Sequence, residues 1–375
     1  MRSIDRFKGC LLGGAVGDAL GYAVEFQDLD QIRKQYGPEG ITSYDLNNKD
    51  HKALISDDTQ MTLFTATALL FGETRGRLRG IGEGSAGYFR LAYRDWLRTQ
   101  IEDYPIGSEV VRTSWLINCP ELYASREPGR TCISSLLHDA CGIVEEPANN
   151  SKGCGGIMRT APIGIYYIDK DYYTVEDADR IAAGAAAVTH GHELGYIPAA
   201  ALAHIIYLLA SGQETELLPA VRDAMESMRK LFPEAVHMNE FHDVMEKAIA
   251  LAQEDLPDAD AIHQIGGGWV AEETLAVAVY CALKYPQDFE RAIIASVNHN
   301  GDSDSTGAVT GNILGAKLGA GAIPDCFLCD LELRDIIEEI AEDLYQDCQF
   351  DDEWDDIDPV WESKYIRMDY EPDIR

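Results

Sequence analysis

Two segments far apart in the chain carry glycine at every fourth position: Gly9, Gly13, Gly17 and Gly21 near the start, and Gly307, Gly311, Gly315 and Gly319 near the end. Apolar residues fill the positions between at helical spacing, so both segments read as helices. Residues four apart on a helix share one face, and each series is therefore a stripe without side chains. Glycine inside a helix costs about 1 kcal/mol relative to alanine. A whole stripe needs compensation, and close helix-to-helix approach supplies it. Membrane helices use the same spacing. Here Asp18 and Glu25 interrupt the first segment and Lys317 the second, and neither offers about 20 uninterrupted apolar residues.

Segments 4–21, 58–72, 84–99, 176–189, 196–211, 214–230, 238–253, 272–284, 288–297, 304–320 and 331–345 all carry apolar residues at helical spacing and are rich in Ala and Leu. Short stretches such as Ile163–Ile168 are compatible with an extended strand, but nothing alternates strand and helix in the rhythm of a parallel sheet. The expected architecture is all-α, a compact orthogonal multi-helix bundle. At 375 residues the chain has the length of roughly two average domains or one large helical one. The glycine-rich loops Gly153–Gly156 and Gly266–Gly268 do not resemble interdomain linkers, so a single helical domain over 1–346 is the simpler division. Residues 347–375 place acidic side chains between Phe350, Trp354, Trp361, Tyr365 and Tyr370, which predicts an irregular tail anchored on the domain by its aromatics.

The net charge of −33 repels nucleic-acid backbones and anionic lipid surfaces, so neither is an expected partner. An anionic small ligand would bind only where metal ions, helix N-termini or an arginine invert the local potential. The nine cysteines form no dense framework and the chain opens directly into an amphipathic helix, which points to reducing cytoplasm and a monomer. Cys326-Phe-Leu-Cys329 is a lone CxxC, compatible with zinc or redox roles but equally with free thiols.

Two clusters carry the chemistry. Ser56-Asp57-Asp58-Thr59 precedes the apolar run Met61–Leu70, and Gly301-Asp302-Ser303-Asp304-Ser305 opens the second glycine-striped helix. Either alone is explained as a helix cap. Capping needs one such side chain per helix, and the surplus of carboxylates implies a cation to offset their repulsion. Oxygen-only donors favour hard ions, Mg²⁺ before Mn²⁺, and four carboxylates would balance two divalent ions.

With Gly17-Asp18-Ala19-Leu20-Gly21 and Glu25, Ser56–Thr59, Gly153–Arg159, Thr189-His190 and Gly301–Gly307 in this order, the chain resembles the ADP-ribosylglycohydrolase family over about residues 5–320. The resemblance implies an all-helical fold, a binuclear Mg²⁺ or Mn²⁺ centre and hydrolysis of a bond to ADP-ribose. Ser56, Asp57 and Asp58 would bind metal from one side and Asp302, Asp304 and Ser305 from the other; threonine is more familiar where Ser56 and Ser305 stand. Glu25, Asp58 and Asp302 would be catalytic, with Glu25 touching a metal or positioning the attacking water. Gly153, Cys154, Gly155, Gly156 and Met158 would cradle the pyrophosphate and distal ribose, with Cys154 where asparagine is common. His190 would contact substrate, although it could equally cap the preceding helix. Gly267, Gly268 and Trp269 would flank the adenosine, unless Trp269 belongs to the core.

The partner is then ADP-ribose or an ADP-ribosylated protein or small molecule. Its terminal ribose would sit on the metals, beside the water that attacks the glycosidic carbon. Two rival readings share these residues: a catalytically silent ADP-ribose-binding protein, and a metal-dependent phosphohydrolase of a nucleotide-like substrate.

Overall fold

The side-chain-free faces meet each other. In the computed structural model, which describes residues 2–47, 49–80, 86–107, 110–138, 142–348 and 357–372, helix Ile4–Tyr22 packs against helix Ser303–Leu318. A Cβ on Gly17 would lie 2.0 Å from the Gly307 carbonyl oxygen, one on Gly311 1.9 Å from that of Gly13, and one on Gly315 1.8 Å from that of Gly9. Any side chain at these positions would collide with backbone. The order of these contacts makes the two helices antiparallel. The end of the first, leading to Glu25, therefore lies beside the start of the last, where Asp302 and Asp304 stand. Gly319 falls beyond the helix end, where its φ of +84° forms the cap.

Among the described residues the chain forms seventeen α-helices and no strands, only the isolated bridges Ala53–Leu331 and Gly153–Val270. The expected helices are present with shifted ends: segment 58–72 is the long helix Asp57–Arg79, closed by Gly80 in the left-handed region. The start of segment 84–99 lies outside the described residues, and its helix is described over Ala86–Ile101. Ile163–Ile168 does not extend. Its first four residues complete the short, fully buried helix Ala161–Tyr166, started by Pro162, whose missing N–H costs nothing in a first turn. Periodicity does not predict the short helices Leu29–Tyr36, Arg130–Leu137 and Asp258–Ile265; eight residues hold too few periods to register as a pattern.

Helix Glu193–Ser211 is apolar and long enough to cross a membrane by composition alone, yet its apolar window is wholly buried inside the protein. The described cysteines are unpaired, with Cys326 and Cys329 exposed on helix Asp325–Cys329. In the tail, Phe350 and Trp354 lie outside the described residues. Trp361 and Tyr365 are buried, with Trp361 donating to Thr74 Oγ1 at 3.0 Å and Tyr365 to Asp343 at 2.6 Å. The Tyr370 ring stands edge-on to Trp115.

Candidate active site

Asp18 sits one residue beyond Gly17 in the first striped helix, fully buried. Its carboxylate accepts the Ser56 N–H at 3.0 and 3.1 Å and the Thr59 N–H at 3.0 Å. Ser56 Oγ in turn accepts the Asp58 N–H at 3.2 Å. Capping of helix Asp57–Arg79 is thus done by Ser56 and Asp18. The side chains of Asp57 and Asp58 are left over: Asp57 Oδ2 accepts from Gly129 N–H at 3.1 Å, while Asp58 Oδ2 is buried without a partner. In the second cluster Asp302 does cap its helix, and its Oδ1 shares the Ser305 N–H with Asp304 Oδ1 at 3.3 and 2.9 Å.

The antiparallel packing brings carboxylate oxygens of Glu25, Asp302 and Asp304 within 4.8 Å of one another. They line a cleft of about 460 Å³ together with Asp57, Asp58 and Ser305. Burial, and then the charge of Asp304, pushes the carboxyl of Asp18 up to about 7 and that of Glu25 up to about 10, and raises Asp57, Asp58 and Asp302 well above the usual range. Glu25 Oε2 is also buried and unpartnered. Crowded carboxylates with unused oxygens, facing a cleft and forming no ion pair among the described residues, fit a divalent cation.

An adjoining wall is the turn Gly153–Gly156, tied to the loop after Gly268 by Cys154 N–H on Trp269 O at 3.3 Å and Ala271 N–H on Lys152 O at 2.9 Å. Gly155 must be glycine because a Cβ there would lie 2.9 Å from Cys132 Sγ and 3.0 Å from His190 Cε1. His190 is buried, which drives its pKa down to about 3 and keeps it neutral. Arg159 donates to Thr189 Oγ1 at 2.8 Å, and that hydroxyl lies 2.9 Å from His190 Nδ1. The other ring nitrogen, Nε2, faces the Gly153–Gly155 turn. Phe26 and Trp269, both well exposed, stack with ring centres 6.0 Å apart and planes 20° apart at the rim.

Of the residues expected from sequence, Glu25, Asp57, Asp58, Gly153, Cys154, Gly155, Met158, His190, Trp269, Asp302, Asp304 and Ser305 line this one cleft. Ser56, Gly156, Gly267 and Gly268 do not; they shape its walls. Gly156 would press a Cβ against Gly195 O at 2.9 Å, and the N–H groups of Gly267 and Gly268 are held by Glu273 Oε2 at 2.9 and 3.1 Å. Contributors given no site role from sequence include Asp18, whose signal is a lone acid in an apolar glycine-striped helix; Phe26; the segment Glu127–Thr131, which lines the cleft; and Arg159, which holds Thr189 beside His190.

These features define an all-helical protein with a buried, acidic cleft. A sequence model of ADP-ribosylglycohydrolase matches residues 1–353, and the chain belongs to that family. It is 25% identical to the human ADP-ribosylhydrolase ARH3 over 92% of this chain and 94% of that protein. It is 24% identical to the ADP-ribosyl-[dinitrogen reductase] glycohydrolase of Rhodospirillum rubrum over 88% and 91%. A solved structure described as an ADP-ribosylglycohydrolase-related protein complex superposes with a TM-score of 0.59 at 25% identity, covering 92% of this chain and 98% of that one.

Proposed function

We propose that the protein is a divalent-metal-dependent hydrolase that cleaves the glycosidic bond between ADP-ribose and a modified protein side chain or small molecule, releasing ADP-ribose. The observation that carries this reading is the convergence of Glu25, Asp57, Asp58, Asp302 and Asp304 on one cleft, with Glu25 Oε2 and Asp58 Oδ2 unused. In this proposal Asp57, Asp58, Asp302 and Asp304 hold two Mg²⁺ or Mn²⁺ ions, with hydroxyls from Ser56 and Ser305. When bound, such ions offset the carboxylate repulsion and supply Lewis acidity at the scissile centre.

The chain's own residues do the rest. With the neighbouring carboxylates neutralised by such ions, Glu25 would ionise and accept a proton from the attacking water through its free oxygen at the cleft. The surrounding carboxylates stabilise positive charge on the oxocarbenium-like sugar. The turn Gly153–Gly155 lets the anionic ligand approach the backbone closely beside the neutral His190 ring, and the Phe26–Trp269 pair offers a flat face to a purine. The unpaired cysteines support action in a reducing cytoplasm.

The test is a panel of ADP-ribosylated arginine, ADP-ribosylated serine and O-acetyl-ADP-ribose, incubated with and without Mg²⁺ or Mn²⁺ and resolved by mass spectrometry. Metal-dependent release of intact ADP-ribose supports the proposal. Release of AMP identifies a phosphohydrolase instead, and binding without any product identifies a silent ADP-ribose-binding protein.

A further inference from the structure

A second cavity, of about 560 Å³, is larger than the catalytic cleft and shares no residue with it. Helix Asp57–Arg79 connects the two: its first turn carries Asp57 and Asp58, and its far half, from Ala68 to Arg77, forms one wall of the cavity. Asp58 and Glu73 are separated along that axis by about 22 Å at the usual helical rise.

The buried wall carries Lys170 and Arg2, within a lining of three cations and four carboxylates. The side chain of Lys170 is only 8% exposed, and its ammonium lies 2.9 Å from Asp347 Oδ2 and 3.5 Å from the centre of the Tyr166 ring. That one carboxylate is heavily shared, since Asp347 also takes the Tyr166 hydroxyl at 2.8 Å and Arg77 Nη2 at 3.4 Å. Burial holds Lys170 below the ordinary lysine range in spite of Asp347, so its charge is incompletely compensated. Arg2 lines the same wall with a buried Nε that has no acceptor. Arg77 is matched by Glu73 at 2.8 Å, which leaves Arg2 and Lys170 with Asp347 at the buried end, and Arg2 Nη2 donates to Leu344 O at 2.6 Å. Asp169 and Asp171 stand at the exposed rim.

The outer part is aromatic. Tyr88 closes over Gly72, where a Cβ would lie 2.8 Å from its ring, and Tyr167 and Tyr173 meet with ring centres 4.7 Å apart. Asp169, Tyr172 and Asp347, all lining residues, adopt positive φ without being glycine. Such strain concentrates where a fold holds side chains for a ligand.

We propose that this cavity is a second ligand site for a flat-ringed molecule bearing one anionic group. The anion would meet Lys170 and Arg2 and the ring would lie among Tyr88, Tyr167 and Tyr173. The shared chemistry admits a nucleoside monophosphate or an aromatic carboxylate, and the proposal is independent of the reaction assigned to the catalytic cleft.

Calorimetry on the full chain tests it with AMP, benzoate, adenosine and inorganic phosphate, each with and without saturating ADP-ribose. With the other cleft filled by ADP-ribose, AMP or benzoate is expected to bind one per chain, with the ring or anion alone about tenfold weaker or worse. Lys170→Met should abolish this binding and the exposed Tyr173→Ala weaken it several-fold, both leaving turnover at the other cleft unchanged. The proposal is overturned if no probe binds in the presence of ADP-ribose, if phosphate alone binds as well as AMP, or if folded Tyr173→Ala and Lys170→Met bind like wild type.

Discussion

Replacing Gly17 with alanine isolates the contact on which both fold and site depend. The new Cβ would stand 2.0 Å from the Gly307 oxygen and 2.3 Å from its carbon, where contacts under 3.0 Å are essentially never tolerated. Both obstacles are backbone, so the helices must part by about 1 Å. Alanine itself returns about 1 kcal/mol of helix propensity, whereas overpacking costs roughly 1–3 kcal/mol and more where only backbone can yield. A net loss of about 1–2 kcal/mol is expected. The control is Gly184→Ala in helix Val175–Ala187, where nothing lies within 4 Å and the change should stabilise by about 0.5–1 kcal/mol. The separation also reaches the site, because Gly21 abuts Ser303 O and Asp304 N in the same interface. Displacement of about 1 Å among reacting groups can cost about a hundredfold in rate. Thermal melting and ADP-ribose release on the same samples check both effects. If Gly17→Ala melts like Gly184→Ala and keeps full turnover, the reasoning is wrong.

Four further outcomes are expected. Glu332→Ala should cost about 3–5 kcal/mol in urea unfolding, because Glu332 pairs with the largely buried Arg126 and accepts the Ile55 N–H at 3.2 Å beside the Ser56–Asp58 turn; an unchanged midpoint would refute this. His299 is buried and its pKa is lowered to about 4, so below pH 6.5 the unfolded chain takes up the proton first. Wild type should therefore lose roughly 2–3 kcal/mol relative to His299→Gln between pH 7 and 4, read as a narrowing gap in chemical-denaturation midpoints. Asp18→Asn should weaken Mn²⁺ binding about 10–100-fold with the helical circular dichroism unchanged, because Asp18 orients Ser56 and Thr59 instead of lining the cleft. Asp302→Ala should remove nearly all turnover, and a fully active variant would show that Asp302 has no part in the chemistry.

Much of this architecture is legible in the amino-acid sequence. The glycine stripes announce close backbone contact, and their four-residue period survives as a register of antiparallel helices. The surplus of acids over capping needs is visible in Ser56–Asp58 and Asp302–Ser305. The helix Leu29–Tyr36 is not legible, since its single buried residue, Ile32, leaves no periodic trace. Asp18 stands out in sequence as a lone acid, but its role does not, because that role depends on two N–H groups some 40 residues away. Arg159 likewise acts through Thr189, a pairing that only the packing of the Gly153–Arg159 turn against helix Val175–Ala187 creates. Nor can sequence alone divide labour within the clusters, where Ser56 and Asp302 cap their helices while Asp58 keeps a carboxylate oxygen free.

The central claim is that these carboxylates form a centre for divalent ions. Titration of Mn²⁺ into metal-stripped protein by isothermal calorimetry tests it most directly, alongside Asp58→Asn and Asp302→Asn. The account predicts two ions per chain for wild type and loss of at least one in each variant. Absence of Mn²⁺ and Mg²⁺ binding, or the same stoichiometry and affinity in all three proteins, would contradict it.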